Sequence, residues 1–168
     1  MLRWLIPTRH VPAVTQLDPR VLWAEGVRGI ILDLDNTVVA WDAPAPSTEV
    51  LVWIGQLRSI GLQVCIVSNN FARARAIAQM LQLPVVAGAI KPGPWAFRRA
   101  MAIMETPAHQ TALVGDQLLT DILGGNLLGM RTVLVDPLST EEFPTTKIVR
   151  ALERLIRARV VKRVNPTR

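Results

Sequence analysis

A short apolar run that ends in two aspartates constrains this chain more than any other feature. Residues 30–37 read Ile-Ile-Leu-Asp-Leu-Asp-Asn-Thr, so Asp33 and Asp35 close the run. This pattern predicts a buried parallel strand whose carboxyl end opens into a loop, where ligands of open α/β sheets bind. Two carboxylates are costly to bury unless a cation joins them, so the pattern predicts a site for a hard cation such as Mg²⁺.

Three other segments carry polar residues just past a predicted strand or before a predicted helix. The runs 62–67 and 111–115 are apolar, and residues 92–94 form a Pro-Gly-Pro turn. A parallel sheet brings the carboxyl ends of its strands to one edge, so these polar residues are expected to meet there. They are Ser68, Asn69, Lys91, Asp116 and Asp121.

These motifs, in this order, resemble those of the haloacid dehalogenase superfamily of phosphotransferases. The family pattern is D-x-D-x-T, a hydrophobic run ending in Ser or Thr, a Lys, and G-D-x-x-x-x-D. It matches residues 33–37, Ser68, Lys91 and 115–121, within a stretch from about residue 29 to residue 136. The longer sequence strings at residues 33–37, 67–70 and 115–126 are similar to those of subclass IIIA, in the branch of the YqeG-type bacterial proteins and the phosphatidylglycerophosphate phosphatases of mitochondria and plastids.

The resemblance implies a nucleophile and an acid–base residue. Asp33 would attack phosphorus in line and form an aspartyl-phosphate. Asp35 would protonate the leaving oxygen and then activate the water that hydrolyses the intermediate. Related dehalogenases and ion-pumping ATPases lack the second aspartate, so its presence favours a phosphatase.

The resemblance also implies ligands for a metal and for phosphate. Mg²⁺ would be held by Asp33, the backbone carbonyl of Asp35, Asp116 and Asp121, the last directly or through water. The phosphate-binding residues would be Asn36, Thr37, Ser68, Asn69 and Lys91. Within this set Lys91 would supply a point charge and Ser68 a hydrogen bond.

Several of these residues have a structural alternative. Asp121 and Ser68 are also suited to capping a helix, Lys91 to lying on the surface, and Thr37 to shaping a turn.

Residues outside the motifs receive simpler predictions. His10 and His109 match no motif and are predicted to lie on the surface. Cys65 lies in an apolar run and is predicted to be a small buried hydrophobe. A single cysteine excludes an internal disulfide and suits a reducing compartment.

The alternation of strands and helices predicts one α/β domain with a doubly wound parallel sheet of five strands. By resemblance the strand order is 5-4-1-2-3. The predicted strands lie near 29–33, 62–67, 84–88, 111–115 and 131–135, and the helices near 48–60, 71–82, 94–105, 119–128 and 146–163.

Spacing argues against a cap domain over the site. About 10 residues separate Thr37 from the next helix, and Ser68 and Lys91 enclose one helix and one strand. An uncapped site would admit a large or membrane-bound substrate, or a partner would cover it. Residues 41–44 would form a small flap at the entrance or a packed surface turn.

Both ends of the chain carry candidate membrane contacts. Residues 147–168 hold eight basic residues and one acidic residue, Glu153. The net charge of this segment is therefore +7, whereas the net charge of the whole chain is +6. Helical spacing of apolar residues over 146–168 predicts a basic amphipathic helix and tail, either packed on the sheet with a solvated basic face or attracted to an anionic surface. The N-terminal segment 1–28 would form a shallow interfacial anchor through its apolar residues Leu2, Trp4, Leu5 and Ile6, which are flanked by Arg3 and Arg9.

The predicted function is a Mg²⁺-dependent phosphomonoesterase that converts phosphatidylglycerophosphate to phosphatidylglycerol, in the cytoplasm at the membrane surface. One departure is Leu34, because a basic residue often lies between the motif aspartates of the more distant lipid phosphatases. The alternatives are a phosphatase of a nucleotide, sugar phosphate or phosphoprotein, and a non-catalytic RNA- or ribosome-associated protein. No nucleic-acid module is recognisable, and no apolar stretch approaches the roughly 20 residues that cross a bilayer.

Overall fold

A computed structural model describes residues 2–139 and 156–164 of the chain. In these residues six parallel strands form one sheet, in the order β1-β6-β5-β2-β3-β4. The strands are β1 (Arg9–Val11), β2 (Gly29–Leu32), β3 (Gln63–Ser68), β4 (Val85–Ala87), β5 (Thr111–Gly115) and β6 (Arg131–Val135).

The predicted order of five strands is confirmed as β6-β5-β2-β3-β4. The prediction missed β1, which pairs with the outer edge of β6. This strand has three residues, of which only His10 is buried, so its sequence shows no measurable periodicity.

The helices cover both faces of the sheet. They are α1 (Pro19–Ala24), α2 (Thr48–Ser59), α3 (Phe71–Leu81), α4 (Pro94–Met104), α5 (Leu123–Leu127) and α6 (residues 156–164). The predicted helix 119–128 is a π-helical turn, Leu118–Ile122, followed by α5. Of the predicted helix 146–163, residues 146–155 lie outside the described part of the chain.

Two helix starts are placed directly beside the predicted motifs. The side chain of Asn70, two residues after Ser68, accepts a hydrogen bond from the Arg73 amide at 3.2 Å and caps the start of α3. Pro94 occupies the first turn of α4, where a missing N–H costs nothing. Both helices therefore begin at the carboxyl edge of the sheet.

The core lies in two layers, one on each face of the sheet. On one face α2 and α3 pack through residues such as Leu57 and Ile77, and on the other α4 packs through Phe97 and Ala100. All four residues of β2 are buried, as expected for a central strand covered on both sides.

The described residues contain no inserted domain at either position where a cap would enter. Only a loop joins β2 to α2, and only α3 lies between β3 and β4. Within the same residues, no helix combines the length and the hydrophobicity needed to cross a membrane.

Candidate active site

The predicted polar residues meet at the carboxyl edge of the sheet. Leu32 of β2 pairs with Ile66 of β3 and Val114 of β5, so the ends of these three strands lie side by side. The Asp33 amide extends the ladder by donating to the Val114 carbonyl at 2.9 Å. The sheet register therefore places the first aspartate between the second and fourth motifs.

Lys91 is the cation at the centre of this cluster. Its ammonium group donates to Asp33 Oδ1, and to Asp121 Oδ1 at 2.7 Å. Its side chain is 5% exposed, so the surface alternative for this lysine is wrong. Burial lowers the pKa of Lys91, but the charges of Asp121 and Asp33 outweigh that effect and raise it, so the amine stays protonated.

Three buried carboxylates surround the lysine. Asp33, Asp116 and Asp121 each offer an oxygen, and these oxygens lie within 4.8 Å of one another. Burial raises the pKa of Asp121, the charges of Asp33 and Asp116 add to that effect, and Lys91 opposes it. One ammonium does not balance three carboxylates, and hard oxygen donors at this spacing fit a divalent cation.

Asp121 reaches the cluster from the π-helical turn after β5. Its Oδ2 accepts a hydrogen bond from the amide of Gln117, the N-cap residue of this turn, at 3.2 Å. Asp121 therefore also satisfies a free amide at the start of the turn, although it is not the N-cap residue itself. A Cβ atom at Gly115 would lie 2.4 Å from Asp121 Cγ. Glycine at that position is therefore what allows the aspartate to fold back against the strand end.

We expect Gly115→Ala to lower the free energy of unfolding by about 1–3 kcal/mol, because the new methyl group displaces Asp121. Urea denaturation of the purified chain measures this. The matched control is Gly55→Ala in α2, where a Cβ meets nothing within 4 Å and should stabilise the helix by about 0.5–1 kcal/mol. Equal midpoints for the two variants would contradict this account of Gly115.

The predicted phosphate-binding residues lie next to the cluster, and each makes a different hydrogen bond. Ser68 is buried at the end of β3, where its Oγ accepts from the Asn70 amide at 3.0 Å, and Asn70 rather than Ser68 caps α3. The Asn69 Oδ1 atom accepts from the Lys91 amide at 3.0 Å, which fixes the lysine backbone. Thr37 Oγ1 donates to Asp116 Oδ1 at 3.5 Å.

Asn36 shapes the loop after β2. Its φ of 63° lies in the left-handed region, which asparagine tolerates better than most residues. Its Oδ1 accepts from the Trp41 amide at 3.0 Å, and its backbone carbonyl accepts from Leu138 at 3.0 Å. The hydrogen bond to the carboxamide oxygen of Asn36 therefore fixes the loop between Asn36 and Trp41.

Asp35 lies beside the cluster and faces a residue that sequence reasoning missed. The Arg73 Nε atom lies 3.1 Å from Asp35 Oδ1, an ion pair whose atoms are not aligned for a hydrogen bond. Burial raises the pKa of Asp35 to about 6, and the charge of Asp33 acts in the same direction. Arg73 and Lys91 act against this rise.

Arg73 also ties residues 40–43 to α3. Its terminal nitrogens donate to the carbonyls of Ala40, Trp41 and Ala43 at 2.6–2.8 Å, and its guanidinium lies 5.4 Å from the Trp41 ring centre. The segment predicted as a flap or a packed turn is thus bound next to Asp35. One sequence signal could have found this arginine, because a cation in the first turn of a helix opposes the helix dipole and is therefore unfavourable there unless it has another partner.

The C-terminal helix α6 contacts the same edge of the sheet. Arg157 donates to the backbone carbonyls of Asp116 and Val135 at 2.8 and 2.7 Å, and to the Asp136 carboxylate at 3.0 Å. Val160 is buried with Leu5 in a small core cluster. In residues 156–164, therefore, the apolar side of the predicted helix packs on the protein.

This packing also bears on the two ends of the chain. Leu5 is 7% exposed and belongs to the core, so it does not enter a lipid surface, whereas Trp4 and Ile6 are half-buried. Contact of the N-terminal segment with membrane stays a prediction.

The structure tests the positions predicted for the two histidines and the cysteine outside the motifs. His10 is buried with its Nε2 2.9 Å from Asp136 Oδ1, so its predicted surface position is wrong; pairing with a residue so distant in sequence is not visible in a pattern. His109 is exposed and Cys65 is buried, as predicted. Burial raises the pKa of the Cys65 thiol to about 12, which keeps it unreactive at neutral pH.

The chain is similar in sequence to known proteins. The HAD-hydrolase-like family model matches residues 89–152. The probable phosphatase YqeG of Bacillus subtilis is 37% identical over 155 residues, which cover 92% of this chain and 90% of that protein. The chain belongs to the haloacid dehalogenase superfamily. At this level its activity is that of a phosphoric monoester hydrolase, and its acidic cluster is compatible with the divalent metal that phosphatases of this superfamily generally use.

More distant relatives agree with the superfamily and its fold. The chloroplastic phosphatidylglycerophosphate phosphatase 1 of Chlamydomonas reinhardtii is 32% identical over 151 residues, which cover 83% of this chain and 55% of that protein. A structure of a putative 3-deoxy-D-manno-octulosonate 8-phosphate phosphatase from Vibrio cholerae aligns with a TM-score of 0.55 at 14% identity, over 90% of this chain and 96% of that one. The second likeness shows the haloacid dehalogenase fold alone.

Proposed function

We propose that this chain is a Mg²⁺-dependent phosphomonoesterase that acts through an aspartyl-phosphate and converts phosphatidylglycerophosphate to phosphatidylglycerol. The observation that carries the proposal is the buried cluster of Lys91 with Asp33, Asp116 and Asp121 at the carboxyl edge of the sheet. A nucleophile, a cation and two further carboxylates at one point suit transfer of a dianionic phosphoryl group.

In the first step an Asp33 oxygen attacks phosphorus as the bond from phosphorus to the ester oxygen breaks. Asp35 donates its proton to that leaving oxygen and becomes a carboxylate. In the second step Asp35 takes a proton from water, the hydroxide attacks phosphorus, and Asp33 is released with inorganic phosphate. Burial suits Asp35 to both roles, because a pKa near 6 leaves a useful fraction of each form near neutral pH.

The other residues of the site bind and orient the phosphate. Lys91 supplies a fixed positive charge, and the Ser68 hydroxyl donates to a non-bridging oxygen. Asp33, Asp116 and Asp121 would hold Mg²⁺, which when bound offsets the repulsion between the nucleophile and the phosphate. The Gln117 amide and Thr37 hydroxyl hold two of these carboxylates in place.

The lipid substrate is supported by two observations. The Chlamydomonas relative bears the name of a phosphatidylglycerophosphate phosphatase. The described residues form no cap over the carboxylates, so a headgroup still attached to its acyl chains has a path to Asp33.

The experiment is phosphate release from phosphatidylglycerophosphate in mixed micelles with Mg²⁺, beside a panel of soluble phosphate esters. We expect turnover of the lipid far above the panel, and its loss when Mg²⁺ is chelated. Faster turnover of a soluble ester would overturn the substrate and leave the phosphatase mechanism standing. No turnover of any ester, together with tight RNA binding, would favour the non-catalytic alternative.

The raised pKa of Asp35 predicts the pH dependence of the reaction. With a soluble ester and saturating Mg²⁺, kcat/KM should fall as pH rises through the pKa of Asp35, because the acid that protonates the leaving group is lost. Arg73 lowers the pKa of Asp35, so Arg73→Gln should move this descending limb to higher pH. Initial rates between pH 5 and 9, spaced by about half a unit, measure the limb.

The matched control for this shift is Arg75→Gln, an exposed arginine in the same helix. It should leave the limb in place. A limb at the same pH in wild type and Arg73→Gln would show that Asp35 does not control it.

A further inference from the structure

Three large apolar side chains are exposed on the segments that border the site. Phe71, Ile90 and Trp95 are 54%, 83% and 63% exposed, and we call them the apolar rim. Phe71 opens α3 after β3, Ile90 precedes Lys91 in the connection from β4 to α4, and Trp95 lies in the first turn of α4. A Cβ atom at Gly88 would lie 3.5 Å from the Phe71 ring, so this ring sits over the end of β4.

The backbone holds Ile90 in an unusual conformation. Its φ is 51°, in a region that β-branched residues rarely adopt. The Gly93 amide donates to its carbonyl at 3.0 Å, and the next residue, Lys91, is fixed through its amide to Asn69. The turn that positions the lysine therefore also holds an isoleucine in solvent, and strain of this kind concentrates at functional sites.

Exposed arginines lie near two members of the apolar rim, Phe71 and Trp95. The Arg75 guanidinium lies 4.3 Å from the Phe71 ring centre. Arg98 and Arg99 are exposed three and four residues after Trp95, so they share its side of α4. The sequence from residue 50 to residue 104 contains six basic residues and no acidic one.

We propose that the apolar rim docks on the surface of an anionic lipid bilayer and presents the site around Lys91 to the headgroups. The inference rests on the proposed function and adds the surface by which the enzyme meets its substrate. Aromatic and aliphatic side chains enter the interface between headgroups and acyl chains, and neighbouring arginines are attracted to anionic lipid. This surface differs from the two chain ends to which the sequence had pointed.

Other occupants fit the rim less well. A second copy of the chain would bring like charges together on this face. A single-stranded nucleic acid would need open ring faces for stacking, and Arg75 already covers one face of Phe71. An anionic bilayer satisfies both the apolar side chains and the charge.

The test is flotation of the full chain with vesicles of phosphatidylglycerol and phosphatidylcholine, and with phosphatidylcholine alone. The variant combines Phe71→Ser, Ile90→Asn and Trp95→Gln. The control combines Leu51→Ser, Val52→Ser and Met80→Gln, which are 46%, 56% and 63% exposed on α2 and the far end of α3. We expect the rim variant to lose at least about tenfold in partitioning to anionic vesicles and the control to keep it.

Two further measurements accompany the flotation test: vesicle binding in added salt and hydrolysis of a soluble ester. Added salt should weaken wild-type binding, because the arginines act through screened charge. Hydrolysis of p-nitrophenyl phosphate should be equal in the rim variant, the control and wild type, which shows that the site is intact. If the triple variant does not fold, Trp95→Gln alone gives the same comparison at an exposed helix position.

The outcomes separate the rim from the proposed function. Equal flotation of wild type and rim variant overturns the inference even if the lipid is hydrolysed. The inference is also overturned if the wild-type protein does not float with the vesicles. It is overturned as well if the wild-type protein forms dimers and the rim variant does not. Flotation that depends on the rim, with no hydrolysis of any ester, supports the docking surface and overturns the proposed function.

Discussion

Asp33→Asn is expected to lower phosphate release by on the order of 10⁴-fold or more, because the amide cannot form the covalent intermediate. The effect should fall on kcat for every ester the enzyme accepts, since the same carboxylate attacks each of them. Mass spectrometry of acid-quenched wild-type enzyme should find phosphate on Asp33 and none on the variant. Colorimetric phosphate release measures the rates.

The control for this variant is Asp42→Asn, an exposed aspartate beyond the first motif. It removes the same charge from the chain without touching the cluster, and its rate should stay within about twofold of wild type. Substantial turnover by Asp33→Asn would contradict the aspartyl-phosphate and favour direct attack by water.

Lys91→Met is expected to abolish activity and also to destabilise the metal-free protein by about 3–5 kcal/mol, because buried carboxylates lose their cation. Without Lys91 less opposes the effect of burial on Asp121, so the folded-state pKa of this carboxyl group rises further above that of the unfolded chain. The folded variant then binds more protons than the unfolded one, so its stability falls as pH rises. Urea denaturation at pH 5 and pH 8 with a chelator measures both effects.

Two comparisons make this prediction specific to the site. Lys162→Met removes an exposed lysine from α6 and should leave stability within about 0.5 kcal/mol of wild type. Added Mg²⁺ should restore part of the stability of Lys91→Met, because the cation neutralises the same carboxylates. If Lys91→Met matches Lys162→Met in metal-free buffer, the ammonium does not stabilise the cluster.

The strands and their polar ends could be predicted because each depends on a local pattern. Residues 30–35 combine a run apolar enough for a central strand with carboxylates that have no place in a core. Once four such segments are assigned to one parallel sheet, strand direction alone brings Asp33, Lys91 and Asp116 to the same edge. The resemblance to a known family supplied the strand order, which periodicity does not determine.

The contacts of Arg73, Arg157 and His10 could not be predicted in this way. Arg73 binds carbonyls about 30 residues earlier in the chain, Arg157 binds the Asp116 carbonyl, and His10 pairs with Asp136. None of these pairs has a spacing that a helix or strand would repeat. Each depends on backbone positions that exist only after the sheet has formed.

The sequence by itself determined which polar groups come together and at which ends of which strands they lie, because burial and strand direction act within each segment. Only the tertiary structure decided how strongly those groups interact. It buried Lys91 between Asp33 and Asp121, and it set Arg73 beside Asp35. It also left the apolar rim in solvent, since exposure and electrostatic coupling depend on what distant segments bring to the same place.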